Sequence, residues 1–220
     1  LIEHILAGGV HGLFLLGTTG EAPSLSHRIR KELVKRSCRH VAGRVPVLVG
    51  ITDTSTTESL NLARIAADAG AQAAVVSAPY FYANAPSELR EWLRRLVGEL
   101  PLPVVLYNIP GGQGPTFDLE SLRQAIELPE VLGLKDSSGD MRYFHQVCRL
   151  LPQRPDWTLL VGPEELLAES LLLGGLGGVC GGANIAPQLY VDLFDAARRE
   201  ELSRVNELHR RIIEISFRLY

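Results

Sequence analysis

Residues 131–140 read Val-Leu-Gly-Leu-Lys-Asp-Ser-Ser-Gly-Asp. The first four are apolar or glycine, which is typical of a strand buried on both faces. Lys135 then stands at the carboxyl end of this strand, ahead of a Ser-Ser-Gly-Asp turn. Because side chains alternate along a strand, Lys135 shares one side with Gly133, and Asp136 points to the other. The segment therefore places an amine where a buried strand ends.

A lysine at this place has two interpretations. Lysine is almost never fully buried without a reason, and in an apolar pocket a lysine amine loses its proton more easily and becomes a nucleophile toward ketones. The alternative is a strand-end lysine that reaches into solvent. The segment alone favours the solvent-facing alternative, so the rest of the chain decides between them.

Composition narrows the class of protein. The chain has 220 residues, 46% hydrophobic and 21% charged, which indicates one soluble globular domain with a large core. The net charge of -3 gives no indication of a nucleic-acid or membrane partner, and no apolar run approaches the roughly 20 residues of a membrane span. The three cysteines lie far apart without CxxC spacing, which indicates a reducing, cytoplasmic location and no metal site.

Predicted strands and helices alternate along the whole chain. Seven strands start near residues 11, 45, 73, 103, 131, 157 and 177. Strict alternation indicates parallel strands with helical crossovers, which fits either an open doubly wound sheet or an eight-stranded barrel. Polar and glycine-rich segments follow almost every strand and not one switch point, so the pattern favours an α/β fold of the TIM (β/α)8 barrel type.

The ends of the chain suggest a domain division. The chain opens in a helix through Ile2, Ile5 and Leu6, and in a barrel this helix should follow a strand. We therefore expect residues 1–198 to form a barrel that lacks its first strand. Residues 199–220 should form the start of a C-terminal helical region, with its further helices absent from this chain.

Polar side chains at several strand ends form a candidate site, because all carboxyl ends of a barrel open on one face. Thr18 and Thr19 follow the first predicted strand, and Tyr107 ends the strand next to the one that carries Lys135. Two hydroxyls and backbone amides ahead of a helix can hold a carboxylate. An ordinary strand–helix loop and a rim tyrosine are the alternatives.

The segments that carry these residues resemble the dihydrodipicolinate synthase / N-acetylneuraminate lyase family of class I aldolases. The matching segments are Gly-Thr-Thr-Gly-Glu at 17–21, Tyr-Asn-Ile-Pro at 107–110, Gly-Leu-Lys-Asp-Ser-Ser-Gly-Asp at 133–140, and the glycine-rich stretch 174–184. Their order and spacing also fit, and the resemblance spans essentially the whole chain.

The resemblance implies roles for the candidate residues. Lys135 would form a Schiff base with a 2-oxo acid, usually pyruvate, and Tyr107 would be the acid/base group. Thr18 and Thr19 would bind the carboxylate, and we also place Thr19 in the catalytic set. An iminium is an electron sink, so a bond beside it can break and leave an enamine.

The resemblance also implies what else the enzyme binds. We place Gly162 and Val179, near the ends of the last two predicted strands, in the substrate-binding set with the threonines. Apart from the covalent Lys135 Schiff base, no cofactor and no metal are expected. The expected partners are a small 2-oxo acid and an aldehyde, and the expected assembly is a homotetramer built as a dimer of dimers.

Two positions depart from the dihydrodipicolinate synthases of this family. Gly112 stands where those enzymes carry an arginine for the second substrate's carboxylate, and Phe81 stands where they carry a tyrosine contributed to a neighbouring subunit. An arginine elsewhere, such as Arg142, is a possible substitute for the missing cation.

Three functions follow from these residues, in order of preference. The first is a Schiff-base lyase or aldolase that acts on a 2-oxo-3-deoxy sugar acid. The second is 4-hydroxy-tetrahydrodipicolinate synthase, which condenses pyruvate with aspartate semialdehyde. The third, from a different class, is a barrel that binds a 2-oxo acid without turnover.

Overall fold

The computed structural model describes residues 1–80, 84–110 and 116–219. In this part of the chain strands alternate with helices, as the sequence pattern predicted. The strands are β1 (Leu13–Leu15), β2 (Val47–Gly50), β3 (Ala73–Ser77), β4 (Val104–Asn108), β5 (Val131–Asp136), β6 (Thr158–Val161) and β7 (Gly177–Gly178). The α-helices are α1 (Ile2–Ala7), α2 (His27–Val41), α3 (Thr56–Asp68), α4 (Pro86–Glu99), α5 (Leu119–Ile126), α6 (Met141–Cys148), α7 (Leu167–Leu172), α8 (Pro187–Arg198) and α9 (Leu202–Leu219).

All seven strands belong to one parallel sheet. Each strand pairs with its successor in the chain, so the spatial order is β1-β2-β3-β4-β5-β6-β7. A doubly wound sheet would reverse this order at a switch point, whereas a barrel keeps it. The parallel α/β prediction is therefore confirmed. The eighth strand before Leu1 and the division at residue 198 stay predictions.

The sheet has a different apolar layer on each side. One side packs against the helices and forms the large core, with residues such as Leu106, Leu134 and Leu159 fully buried. The other side carries a small inner cluster around Val75 and Val105. Since both sides are covered, β3 and β4 are buried at every position, which explains their almost continuous apolar sequences.

Four helices that follow strands begin at a residue whose side chain caps the helix. Ser26, Ser55, Asp118 and Asp140 accept hydrogen bonds from backbone N–H groups in the first turns of α2, α3, α5 and α6. Such caps satisfy N–H groups that have no partner within the helix. They also fix the segments that join each strand end to its helix, which is where a barrel places its site.

Close backbone approaches need glycine beside the site. A Cβ atom at Gly133 would lie 2.0 Å from the carbonyl oxygen of Thr158 on β6, and one at Gly50 would lie 2.3 Å from that of Leu16. Both distances are far below a van der Waals contact, so neither position accepts a side chain without a backbone shift. The strand that carries Lys135 is therefore pressed tightly against β6.

Replacing Gly133 with alanine should destabilise the fold strongly. The new methyl group would meet backbone rather than a flexible side chain, so we expect the free energy of unfolding to fall by about 3 kcal/mol. Urea unfolding followed by circular dichroism measures this change. The matched control is Gly98→Ala in α4, where the methyl group meets nothing within 4 Å and should add about 0.5 kcal/mol. A Gly133→Ala protein as stable as the control would contradict the close approach of β5 to β6.

None of the helices that the structure describes is long and apolar enough to cross a membrane. Cys38, Cys148 and Cys180 are free thiols.

Candidate active site

A row of side chains at the same height crosses the carboxyl half of the sheet. The strand register pairs Ser77 with Tyr107, Tyr107 with Lys135, and Lys135 with Leu160. Residues paired in this way point to the same side of a sheet. Tyr107 belongs to the inner cluster, so Lys135 also points to the inner side. The expectation that Tyr107 ends the strand next to the one carrying Lys135 agrees with this register.

The amine of Lys135 lies among aromatic rings. Its Nζ atom is 4.2 Å from the centroid of the Tyr107 ring and 5.1 Å from that of Phe14, and the residue is only 7% exposed. No carboxylate in the described part of the chain forms an ion pair with it. The solvent-facing interpretation of Lys135 is therefore wrong, and the amine is buried against π faces that attract a cation.

The hydroxyl of Tyr107 is connected to the loop after β1. It shares a hydrogen bond of 3.3 Å with the Thr18 hydroxyl. Tyr107 as a whole is buried, with 8% of its surface exposed. Thr18 therefore lies beside Tyr107, whose ring in turn lies beside the Lys135 amine. The structure thus brings these three predicted residues together at the strand ends. Thr19 is exposed and does not line the cleft described next. Its predicted catalytic and carboxylate-binding roles stay predictions.

A cleft opens above Tyr107 toward β1, β2 and β3. Its wall includes Thr18, Thr52, Ser77 and Tyr80 together with apolar residues of these strands. Tyr107 is part of this wall and Lys135 is not. The Lys135 amine nevertheless lies 4.2 Å from the centroid of the Tyr107 ring. The cleft therefore offers a space next to the amine, with the tyrosine between the two.

The cleft wall carries a second hydroxyl pair that sequence analysis missed. Thr52 Oγ1 accepts a hydrogen bond of 3.0 Å from the Ser77 backbone N–H and lies 3.3 Å from the Ser77 hydroxyl. Phe14, which covers the Lys135 amine, was also missed. Thr52 follows β2 and Ser77 ends β3, so the strand-end rule applied to every strand would have found both hydroxyls. No comparable signal marks Phe14 in the sequence.

Gly162 and Val179 lie just beyond the ends of β6 and β7. The Gly162 N–H donates to the Asp136 carbonyl over 2.7 Å, and a Cβ atom there would lie 1.9 Å from Ser137 Oγ and 3.2 Å from Lys135 Cε. Gly162 is thus a direct neighbour of the lysine stem. Val179 is half-buried and continues the ladder by donating from its N–H to the Val161 carbonyl over 2.9 Å. Their predicted substrate contacts stay predictions.

A methyl group at position 162 should impair the lysine. In Gly162→Ala the Ser137 hydroxyl must move and the Lys135 stem must shift by a few tenths of an ångström. Misplacement of a reacting group lowers rate steeply, so the nucleophilic role predicted for Lys135 implies that pyruvate trapping by borohydride should slow by about tenfold. Measuring the rate of trapping at saturating pyruvate checks this, with Gly98→Ala as the control. An unchanged rate in Gly162→Ala would mean that the amine does not depend on this space.

Several sequence predictions fall on residues that the structure does not describe. Gly112 and Phe81, where the chain departs from the synthase pattern, lie outside the described residues, as does the rest of the Gly-Gly-Gln-Gly stretch at 111–114. Tyr80, which directly precedes Phe81, is described and lines the cleft. Arg142, named as a substitute cation, is exposed in the first turn of α6.

Behind the inner row lies a buried polar layer. Asn108 and Asp136, each 2% exposed, follow Tyr107 and Lys135 and point to the opposite side of the sheet. Asn108 donates to Asp136 over 2.8 Å. Burial raises the pKa of Asp136, and the hydrogen bonds from Asn108 and Ser138 partly offset that rise. Within residues 1–80, 84–110 and 116–219, no three His, Cys, Asp or Glu side chains converge as ligands of a metal ion.

Comparison with known proteins gives a consistent picture. Residues 1–220 match the model of the dihydrodipicolinate synthetase family. A curated relative, 4-hydroxy-tetrahydrodipicolinate synthase of Aromatoleum aromaticum, is 33% identical over 214 residues, which cover 97% of this chain and 72% of the relative. Another, the probable 2-dehydro-3-deoxy-D-pentonate aldolase YjhH of Escherichia coli, is 31% identical over 97% of this chain and 71% of its own length.

Solved structures agree with these matches. Dihydrodipicolinate synthase from Bacteroides thetaiotaomicron is 49% identical with a TM-score of 0.95, covering 98% of this chain and 72% of that one. YagE of Escherichia coli, a prophage protein of the dihydrodipicolinic acid synthase family solved in complex with pyruvate, is 30% identical with a TM-score of 0.92, covering 97% and 72%.

Proposed function

This chain belongs to the dihydrodipicolinate synthetase family and is a lyase of that family, and we propose that it works through a Schiff base between Lys135 and a 2-oxo acid. The observation that carries the proposal is the buried Lys135 amine, which lies 4.2 Å from the Tyr107 ring without a carboxylate partner among the described residues. A carboxylate partner would favour the charged ammonium, whereas the nucleophile toward a ketone is the neutral amine.

The covalent chemistry balances with these side chains alone. The neutral Lys135 amine attacks C2 of the 2-oxo acid, and the proton that the nitrogen then carries passes to the former carbonyl oxygen, giving a neutral carbinolamine. A second proton, delivered from solvent through Tyr107, lets that hydroxyl leave as water and leaves an iminium. In the cleavage direction the C3–C4 bond breaks and its electron pair forms the enamine. The C4 hydroxyl gives up its proton at the same time, and the fragment that begins at C4 leaves as an aldehyde. Protonation of C3 and hydrolysis of the iminium release pyruvate and the free lysine.

Tyr107 is the proposed proton shuttle. Its hydroxyl is held by Thr18 at 3.3 Å, and its ring lies beside the amine. One phenol can therefore donate a proton to the carbinolamine oxygen and accept the proton of the C4 hydroxyl. The hydroxyl and backbone N–H groups of Thr18 and Thr19 are proposed to hold the substrate carboxylate, which orients C2 over the amine. Gly162 and Val179 are proposed to contact the same substrate from the other side of the lysine.

A 2-oxo-3-deoxy sugar acid is the proposed substrate. The hydroxyls of Thr52 and Ser77 in the cleft suit sugar hydroxyls, and no residue that the structure places in the cleft wall carries a charge. A dicarboxylate product would favour a cation near its far carboxylate, because a buried unpaired charge is costly. The pentonate aldolase relative at 31% identity supports the same substrate class.

Aspartate semialdehyde is the second candidate. The relative from Aromatoleum aromaticum and the structure from Bacteroides thetaiotaomicron are both named as synthases, the second at 49% identity. Gly112 and Phe81 in the sequence argue against this candidate. A barrel without turnover is not supported, since these relatives are named as synthases and aldolases. The homotetramer stays a prediction.

The deciding experiment compares two second-order rate constants. We expect kcat/KM for cleavage of 2-oxo-3-deoxygluconate, followed through pyruvate release, to exceed kcat/KM for condensation of pyruvate with aspartate semialdehyde. The reverse order by a wide margin would assign the chain to the synthases. Absence of both activities, with no trapping of pyruvate, would overturn the proposed function itself.

A further inference from the structure

The β4–β5 pair carries both proposed reacting groups, yet its register is irregular. Val104 pairs with Val131, but Val105 pairs with Gly133, so a bulge displaces the strands at their amino ends. A bulge twists and bends a strand pair locally. Contacts nearer the carboxyl ends therefore decide how Tyr107 faces Lys135, because a small slip would separate the phenol from the amine. The backbone ladder is one of them, and it continues to the Ser137 N–H, which donates to the Asn108 carbonyl over 2.8 Å.

The buried polar layer lies at the place where such a feature would act. Asn108 and Asp136 are the register pair immediately after Tyr107 and Lys135. The Asn108 Nδ2 group donates to Asp136 Oδ1 over 2.8 Å, and both residues are 2% exposed. This hydrogen bond joins the two strands from the side opposite the reacting groups.

Both members of the pair are held by further hydrogen bonds. Asp136 accepts from the Ser138 N–H over 3.1 Å and from the Ser138 hydroxyl over 2.8 Å. Asn108 Oδ1 accepts from the Phe117 N–H over 3.3 Å, and the Phe117 carbonyl accepts from the Tyr143 hydroxyl over 2.7 Å. The two side chains thus have few rotamers left.

Stability alone is a weak explanation for this layer. A buried carboxylate is costly, and apolar side chains of similar size are often as stable or more so. Burial raises the pKa of Asp136, and burial together with Asp136 raises that of Tyr143, so the layer carries an electrostatic strain that an apolar layer would lack. Apolar contacts tolerate several registers of β4 against β5, whereas a hydrogen bond between two side chains favours one.

We propose that Asn108 and Asp136 are positioning residues, whose hydrogen bond behind the sheet sets the Tyr107 phenol against the Lys135 amine. This inference rests on the proposed Schiff-base function. Neither residue touches the substrate, since both point away from the inner side of the sheet. Their contribution should appear in kcat, through the proton transfers of Tyr107, and only weakly in KM.

An exchange of the two side chains tests the proposal. Asn108→Asp alone places two carboxylates against each other, and they can stay hydrogen-bonded only by sharing a proton. The kcat of this variant relative to wild type should therefore fall by about tenfold between pH 6 and pH 8. In Asn108→Asp/Asp136→Asn the amide donates from the other strand, so the ratio should return to within about threefold of unity and lose its pH dependence. Among the described residues, Asp140 and Tyr143 interact electrostatically with Asp136, and Asp118 interacts with Tyr143. All variants share these three groups.

The controls separate positioning from folding. Thermal unfolding shows whether each variant is folded at the assay temperature. If Asn108→Asp does not fold, Asn108→Ala should lower kcat by about tenfold with KM within about threefold of wild type. A flat pH ratio near unity for Asn108→Asp, or an exchange variant no better than the single one, would overturn the inference while wild type stays active. A wild-type protein that neither traps pyruvate nor cleaves sugar acids would overturn the proposed function and this inference together.

Discussion

Lys135→Ala should trap no pyruvate in borohydride and should lose turnover by at least about 10⁴-fold, the scale seen when a covalent nucleophile is removed. The amine is buried beside the rings of Tyr107 and Phe14, and the other two lysines of the chain lie on α2, so neither of them is placed to replace it. The measurement is kcat for sugar-acid cleavage together with the mass of the borohydride-treated protein. Trapping that persists in Lys135→Ala would refute the assignment.

Two companion variants make the lysine result specific. Lys135→Arg keeps the positive charge and much of the stem but cannot form an imine, so it should be as inactive as the alanine variant. Lys35→Ala removes an exposed lysine of α2 and should leave both trapping and turnover unchanged. Activity in the arginine variant would mean that charge alone is needed at position 135.

Tyr107→Phe should lower kcat by about 10²-fold or more, which is the usual contribution of a general acid/base. The change removes one hydroxyl and its hydrogen bond to Thr18, whereas the ring that lies 4.2 Å from the amine remains. Trapping of pyruvate should therefore persist while proton transfer slows. Single-turnover assays of the wild type and of Tyr107→Phe separate imine formation from the later proton transfers.

The control for the tyrosine is at its hydrogen-bond partner. Thr18→Ser keeps a hydroxyl near the phenol and should retain most of the activity. Undiminished turnover in Tyr107→Phe would remove this residue from the mechanism and leave water as the proton carrier.

The main outline of the site could be predicted because parallel strands impose it. Once residues 103–107 and 131–135 are assigned to adjacent parallel strands, Tyr107 and Lys135 must meet at one edge, since all carboxyl ends open on one face. The loop at 17–21 joins them for the same reason. Strand alternation predicted where these residues lie, whereas their roles came from the resemblance of the segments that carry them.

The details of the site could not be predicted because they depend on register. A shift of one residue turns every side chain to the other face, and the bulge at Val104 changes the register within β4 itself. The bond between Asn108 and Asp136 follows from that register. The contact of Phe14 with the amine depends instead on how β1 and β5 face each other on the inner side of the sheet. Sequence alone gave Asp136 a side of the strand but no partner.

The most direct test is to locate the trapped adduct. The chain has three lysines, and the segment between Arg123 and Arg142 contains only Lys135. After incubation with pyruvate and borohydride, peptide mass spectrometry should find one reduced pyruvate adduct, in that segment and on Lys135. An adduct on Lys31 or Lys35, or no adduct on any lysine under conditions of turnover, would contradict the Schiff base on which the account depends.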